Sequence, residues 1–487
     1  MLNVWRAWRR IGLSFTSLVV GACFLGTANA TPSITLSRPS GPPTIKVQVS
    51  GTGFKAGVIV DLYFDKTYRD QCVTNSSGGF SNLVVRVPKE AHPGTHSVSA
   101  VEQPGGPTAK QPFLVQTNWR QFHFNADGRR VNPYENVLSP KTVGRLKLKW
   151  SYSLGEFEDS SPAVADGVVY IGGSSLYALD ATTGALLWSF TPVDYVTSGP
   201  AVANGIVYFA SFGINYGTVY ALDARTGALR WSLGMPSYVF ASPTVLNGAV
   251  YIGSDGGNVY ALDGSTGAQI WTDILGTYVR TPLIENGVAY FPNNGSNDYG
   301  SLYAVDASAG HHIWNFPVAG GVLSSPAIAG DVVYFGSNGY PGAVYALKAR
   351  DGSLLWSHQT DGHIASSPAI QNGVVYIGSE DFNVYALNAA SGAVLWTYQT
   401  GYEIVGSPAV ANGVVYIGSA DKSLYALDAK SGSLLWSYAT SGNIYFPSPA
   451  IANGMVYIAS MDENYQGTLY AFGLPDSHSC EANRDAP

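Results

Sequence analysis

The chain has 487 residues, of which 46% are hydrophobic and 13% aromatic but only 12% charged, so it is too long for one ordinary domain and too apolar to be disordered. Its 56 glycines and 27 prolines point to many short strands and tight turns and argue against a helical protein. A formal net charge of −7 excludes the basic footprint of a nucleic-acid binder or of a protein held on anionic lipid.

The first 30 residues read as an export signal. Arg6, Arg9 and Arg10 precede a mostly apolar run over 11–25, and Ala28-Asn29-Ala30 fits a small-residue cleavage site that leaves Thr31 as the mature start. The run is too short and mixed to be read as a membrane span. Val20-Gly21-Ala22-Cys23 loosely follows a lipobox, so a membrane anchor is expected only if Cys23 is lipidated. Removing the segment takes away three arginines and no acids, leaving 23 cations against 33 acids, a net charge of −10. Cys72 and Cys480 then remain. In an oxidising compartment they either pair or stay as two thiols.

Residues 31–115 contain no Trp. Alternating stretches at 44–50, 58–64, 82–87 and 95–101 read as strands, separated by turn-rich pieces such as Pro39-Ser40-Gly41 and His92-Pro93-Gly94. This spacing predicts an immunoglobulin-like β-sandwich. Gly51-Thr52-Gly53-Phe54 followed by Ala56-Gly57 resembles bacterial surface modules of that type. Residues 116–145 read as a connector and 474–487 as a tail.

From 146 to 473 the chain repeats. Trp150, Trp188, Trp231, Trp271, Trp314, Trp356, Trp396 and Trp436 recur every 38–43 residues, a period that signals a repeat architecture. One unit runs Ser367-Pro368-Ala369-Ile370, Asn372-Gly373, an apolar stretch over 374–379, Val384-Tyr385-Ala386-Leu387-Asn388, Ser391-Gly392, and a last stretch ending at Trp396. Asn-Gly is a strong hairpin signal because both residues accept positive φ. An Asp or Asn followed by Ser/Thr-Gly makes a second tight turn, in which the side-chain oxygen accepts backbone N–H groups. Four strands per unit, repeated eight times, predict an all-β, eight-bladed propeller. The last unit stops at Tyr470-Ala471-Phe472 without its Trp. The missing strand is available at 146–150, and pairing there would close the ring and remove its free edges.

The motif Ala-x-Asp-x-x-Thr-Gly-x-x-x-Trp, complete from Ala178 to Trp188, Ala221 to Trp231 and Ala261 to Trp271, resembles the pyrroloquinoline quinone (PQQ) repeat. The connector, with Trp119, Phe122, Asn132-Pro133 and Leu138-Ser139, looks like that of the same superfamily. The resemblance implies one of two things: a quinoprotein alcohol or glucose dehydrogenase, or a non-enzymatic propeller such as the outer-membrane assembly lipoprotein. The alcohol dehydrogenases stack the quinone between a Trp and a disulfide of adjacent cysteines. Here no Cys-Cys occurs, and no Cys lies between 73 and 479. The expectation is therefore a non-catalytic, exported envelope protein without cofactor, monomeric, that binds a protein or glycan. The alternative is a PQQ- and calcium-dependent dehydrogenase using Asp159, Arg280, His363 or Glu403.

Other chemistry leaves no signature. There is no Gly-x-Ser-x-Gly elbow, Walker loop or His-Glu-x-x-His. His311 and His312 are adjacent on a strand, hence on opposite faces, and Asp462-Glu463-Asn464 reads as a solvated loop. What differs between units lies in two loop sets on one face. The loops from each outer strand to the next inner strand carry Phe157, Glu158, Asp159, Tyr195, Tyr238, Phe240, Tyr278, Arg280, His363, Glu403, Tyr445 and Phe446. The loops between second and third strands lengthen at 212–217, 293–300, 337–342 and 462–467. These are the candidate partner-binding residues. Tyr195, Tyr238 and Tyr278 are expected to form an aromatic arc, and Arg280 to pair with Asp159.

Overall fold

The computed structural model describes residues 31–156, 159–213, 216–296 and 299–475. The export signal with Cys23, Phe157, Glu158 and Cys480 lie outside the described residues, so the Cys72–Cys480 pairing does too. Among the described residues the chain is built of strands, and its one helical piece is the short 3-10 turn Val143–Arg145.

The N-terminal strands form two facing sheets. One holds Ser33–Leu36, Lys46–Thr52 and Phe80–Arg86; the other orders Ser40–Gly41, Thr108–Val115, Gly94–Glu102, Ile59–Phe64 and Thr67–Val73. Alternate residues of Lys46–Thr52 and Ile59–Phe64 point inward, and Val47, Val49, Val60, Leu62, Phe64 and Phe113 share one core. Thr67–Val73 was not anticipated as a strand. It pairs with Ile59–Phe64 alone, at the sheet edge, and its Tyr68-Arg69-Asp70-Gln71 stretch carries no buried alternation to betray it.

The rest is a β-propeller. Eight sheets, seven of four antiparallel strands and one of five, follow one another among the described residues, and the short inner strands touch their neighbours all the way round, Ala450–Ala452 lying against Ala163–Ala165. Asn204 and Gly205 both have positive φ (51° and 73°), as the Asn-Gly hairpins require. Lys147–Glu156 pairs antiparallel with Gln466–Gly473. Trp150 sits opposite Ala471 just as Trp188 sits opposite Ala178, so the strand from the start of the repeat region completes the last sheet.

Each recurrent residue has a mechanical role. The Asp180 carboxylate accepts the N–H groups of Thr182 and Thr183 at 3.0 and 2.8 Å, forming the turn. The same turn at Asp223 places Gly227 (φ 72°) against the Trp188 ring of the preceding sheet, where an added Cβ would lie 2.7 Å from the indole. The Trp188 indole N–H donates to Ala224 O (3.1 Å), and the Tyr170 hydroxyl donates to the same oxygen (2.9 Å). Trp231 with Tyr208 on Gly264, and Trp271 with Tyr251 on Ala307, repeat the clasp. The seam where the last sheet closes is different. The chain leaves through Gly473-Leu474-Pro475 without an Asp turn, and the fully buried Tyr416 hydroxyl has no hydrogen-bond partner.

Residues 119–132 of the connector run beneath the ring. Their backbone is bonded in turn to Val164, Val202, Ile284, Ile328, Ile370 and Val410, while the Gln121 side chain accepts the N–H of Val245 and the Asn132 amide donates to Ile451 O. Val131–Asn132 even adds a short parallel strand to the seventh sheet. Arg130 is fully buried here. Its guanidinium donates to Pro408 O and Phe122 O and lies 4.6 Å from the Phe122 ring centre. Burial pushes its pKa down to about 9, which still leaves it cationic at neutral pH.

Candidate functional site

A cavity of about 360 Å³ opens inside the ring of sheets, its lining including Phe122, Asp159, Phe240, Arg280 and Phe446. Its wall is made by the residues that precede the prolines of the repeat. Gly199 N–H donates to the Ser242 hydroxyl, Ser242 to Thr281, Ser325 to Ser367, Ser367 to Ser407, Ser407 to Ser448 and Ser448 to Ser161, all at 2.8–3.0 Å. Among the described residues the Ser-Pro recurrence therefore forms sheet-to-sheet clasps at six of eight junctions, the exceptions being Ser161 to Gly199, where the glycine offers no hydroxyl, and Thr281 to Ser325. Thr197, only 3% exposed, also lines the cavity, and its hydroxyl has no hydrogen-bond partner.

The two loop sets meet on one face, as the sequence implied. Isolated bridges join Tyr195 to Phe212, Val279 to Asn293 and Asn443 to Met461. On one side of the mouth, Arg280 pairs with Asp255 (2.9 Å) and lies 5.2 Å over the Phe240 ring. This corrects the expected Arg280–Asp159 pair: Asp255 lies on the neighbouring sheet, although Asp159 does share the cavity lining with Arg280. Desolvation holds the Asp255 carboxyl above its usual value, and the Arg280 charge opposes that rise.

The aromatic arc forms only in part. Tyr195 and Tyr278 are exposed, and the Tyr195 hydroxyl donates to Glu156. Tyr238 and Phe240 are half-buried, packed on Phe212 with ring centres 4.9 and 4.6 Å away. On the other side of the mouth, His363 Nδ1 meets Gly339 O at 2.9 Å, and the Tyr445 hydroxyl donates to Glu403 (3.2 Å). Glu380, which sequence reasoning missed, belongs to this group. Burial raises its pKa, His363 opposes the rise and Glu403 adds to it.

The larger omission is aromatic. Tyr216, Tyr299, Tyr340, Tyr402 and Tyr465 stand exposed at the same face. The signal was present in the lengthening of the loops between second and third strands, whose tips carry four of these five.

Among the described residues no three His, Cys, Asp or Glu side chains converge to hold a metal, and the cavity wall supplies one carboxylate, Asp159. His311 and His312 are exposed on the outer edge, and Asp462 caps its own turn by accepting the N–H groups of Asn464 and Gln466. No helix among the described residues is long and apolar enough to cross a membrane.

Comparison with known proteins agrees with this architecture. Among solved structures, a europium-containing methanol dehydrogenase superposes with a TM-score of 0.65 at 16% identity, over 73% of this chain and 98% of that one. The quinohemoprotein alcohol dehydrogenase from Comamonas testosteroni gives 0.64 at 16% identity, over 74% and 82%. BamB from Moraxella catarrhalis gives 0.56 at 20% identity, over 68% and 99%. At such identities the likeness is one of fold. No curated protein matches the sequence significantly. The profile of the family described as outer membrane protein assembly factor BamB matches residues 172–295, 275–369 and 341–472. Because these segments span more than half of the sequence, the chain belongs to this family of PQQ-type repeat proteins.

Proposed function

We propose that the protein is an exported, non-catalytic propeller of the cell envelope, which recognises a protein or glycan through its loop face. In this reading, residues 1–30 are the signal, 31–115 an immunoglobulin-like sandwich, 116–145 the connector, and 146–473 an eight-bladed propeller that acts as a monomeric scaffold. The observation that carries it is the distribution of exposed rings. Of the ten exposed Tyr and Phe side chains among the described residues, eight stand on the loop face, and only Tyr68 and Tyr134 lie elsewhere. Exposed aromatics gathered on one face are a recognition surface, since each ring is a rigid, partly apolar anchor. The plain oxygen donors of the cavity support the same reading, because they offer no set suited to a cofactor metal.

A second reading, a quinoprotein dehydrogenase acting on alcohols or sugars, is favoured by the fold likeness to such enzymes. Titrating the purified protein with PQQ plus calcium by calorimetry, followed by a dye-linked screen of alcohol and sugar oxidation, separates the two. The expected result is neither saturable heat nor turnover. Micromolar binding accompanied by turnover would make the cavity an active site and sink the scaffold reading.

A further inference from the structure

We infer that the partner seated on the loop face is a lysine- or arginine-bearing segment of another protein; this rests on the loop-face reading above. The first ground is charge. The two loop sets and the strand ends beside them carry eleven Asp and Glu among the described residues, against two cations, Arg280 and Lys422. Arg280 is already neutralised by Asp255. The whole chain has 33 acids to 26 Lys and Arg, a net of −7, so these positions, at −9, account for all of its net negative charge, and the remainder sums to +2. A field of that sign steers cations toward the ring and repels acidic partners.

The second ground is what the carboxylates stand beside. Exposed rings stand near these acids: Tyr402 precedes Glu403, the Tyr465 N–H donates to Asp462 O, and Tyr340 packs on His363, whose charge bears on Glu380. Ammonium and guanidinium groups gain from both contacts. Burial disfavours the ionised Glu380 and the Glu403 charge adds to this, with no Lys or Arg paired to either among the described residues. A cation supplied by a partner opposes both effects.

The third ground is the cavity. The buried, unpartnered Thr197 hydroxyl lines it with Ser325 and Ser367, beside Phe240, Phe446 and the Asp255-paired Arg280. These groups suit the end of one long basic side chain entering from the mouth: an apolar and aromatic wall for the stem, oxygens for the head.

The test is binding of fluorescein-labelled oligolysine to the purified protein by anisotropy, with oligoglutamate and a neutral cello-oligosaccharide as comparison probes. Three proteins are compared: the parent, the double variant Glu380→Gln/Glu403→Gln, and Asp331→Asn, which removes an exposed charge on the opposite side of the ring. Thermal unfolding checks that all are folded. Oligolysine is expected to bind and oligoglutamate not. Binding should weaken as salt is raised, and the double variant should bind on the order of tenfold more weakly while Asp331→Asn is unchanged. Equal binding by the double variant and the parent would overturn the inference. Failure of oligolysine, with cello-oligosaccharide binding that Tyr340→Ala abolishes, would overturn the cationic partner but leave the loop-face reading standing. No face-dependent binding of any probe would remove both.

Discussion

At the scale of single residues, the repeat is a set of clasps, and each can be broken separately. Gly267 has φ 74°, and a Cβ there would lie 2.7 Å from the Trp231 ring, whereas a Cβ on Gly234 would meet nothing within 4 Å. Gly267→Ala is therefore expected to lower stability by about 1–3 kcal/mol, and Gly234→Ala to change it by less than about 0.5 kcal/mol, when both are compared by urea unfolding. Equal effects would mean that the glycine is not what seats the indole. Glu380 makes a prediction of opposite sign. Its folded-state pKa is raised, so the fold favours the protonated carboxyl, and stability falls as pH rises through the carboxylate range. Glu380→Gln should therefore be more stable than the parent at neutral pH. That advantage should fade in acid, below the ordinary carboxylate pKa, as thermal melts at several pH values will reveal. The Trp, Asp and Gly positions were legible in the sequence because they recur. Asp255 and Glu380 were not, because they sit at non-repeating positions and acquire meaning only from Arg280 and Glu403 on neighbouring sheets. Tyr238 was misplaced in the arc for the same reason: its cover, Phe212, comes from another loop.

At the scale of elements, the connector carries more of the structure than its sequence suggests. A stretch with Arg129-Arg130 and no apolar period reads only as a connector, yet Arg130 is fully buried beneath the Phe122 that faces the cavity. Hydrogen bonds between this segment and each inner strand compensate for placing so polar a piece inside. Arg130→Ala removes two bonds to buried carbonyls and the support under Phe122 together. It should cost about 2–4 kcal/mol, more than a surface substitution, without altering far-UV circular dichroism of the folded protein. Arg120→Ala is the contrasting case, since its exposed pair with Asp166 is worth at most about 1 kcal/mol. The strand-like stretches, the hairpins and the borrowed closing strand were all readable from local pattern. The polar edge strand Thr67–Val73 was not, because an edge strand needs no apolar face to hold it.

At the scale of the whole molecule, two cores are separately closed. The sandwich core is drawn from Ile34 to Val115, and none of its members belongs to the ring. Among the described residues the hydrogen bonds that cross between the units include Gln116 to Asp166 (3.2 Å) and the Asn136 amide to Lys89 O and Ala91 O (2.9 Å each). Side-chain bonds of this kind transmit little cooperativity, so calorimetry should resolve two unfolding transitions. The ring is the opposite case, because its last sheet is made from both ends of the repeat region. Deleting 466–475 strips Lys147–Glu156 of its partner and leaves Met455–Met461 as an open apolar edge, so the break lies at the seam. The larger transition should then be lost or shifted far downward while the sandwich transition stays where it was. If the ring transition survives the deletion unchanged, closure by the borrowed strand is not what holds the sheets in a circle, and the inner-strand clasps through Ser367, Ser407 and Ser448 must suffice alone.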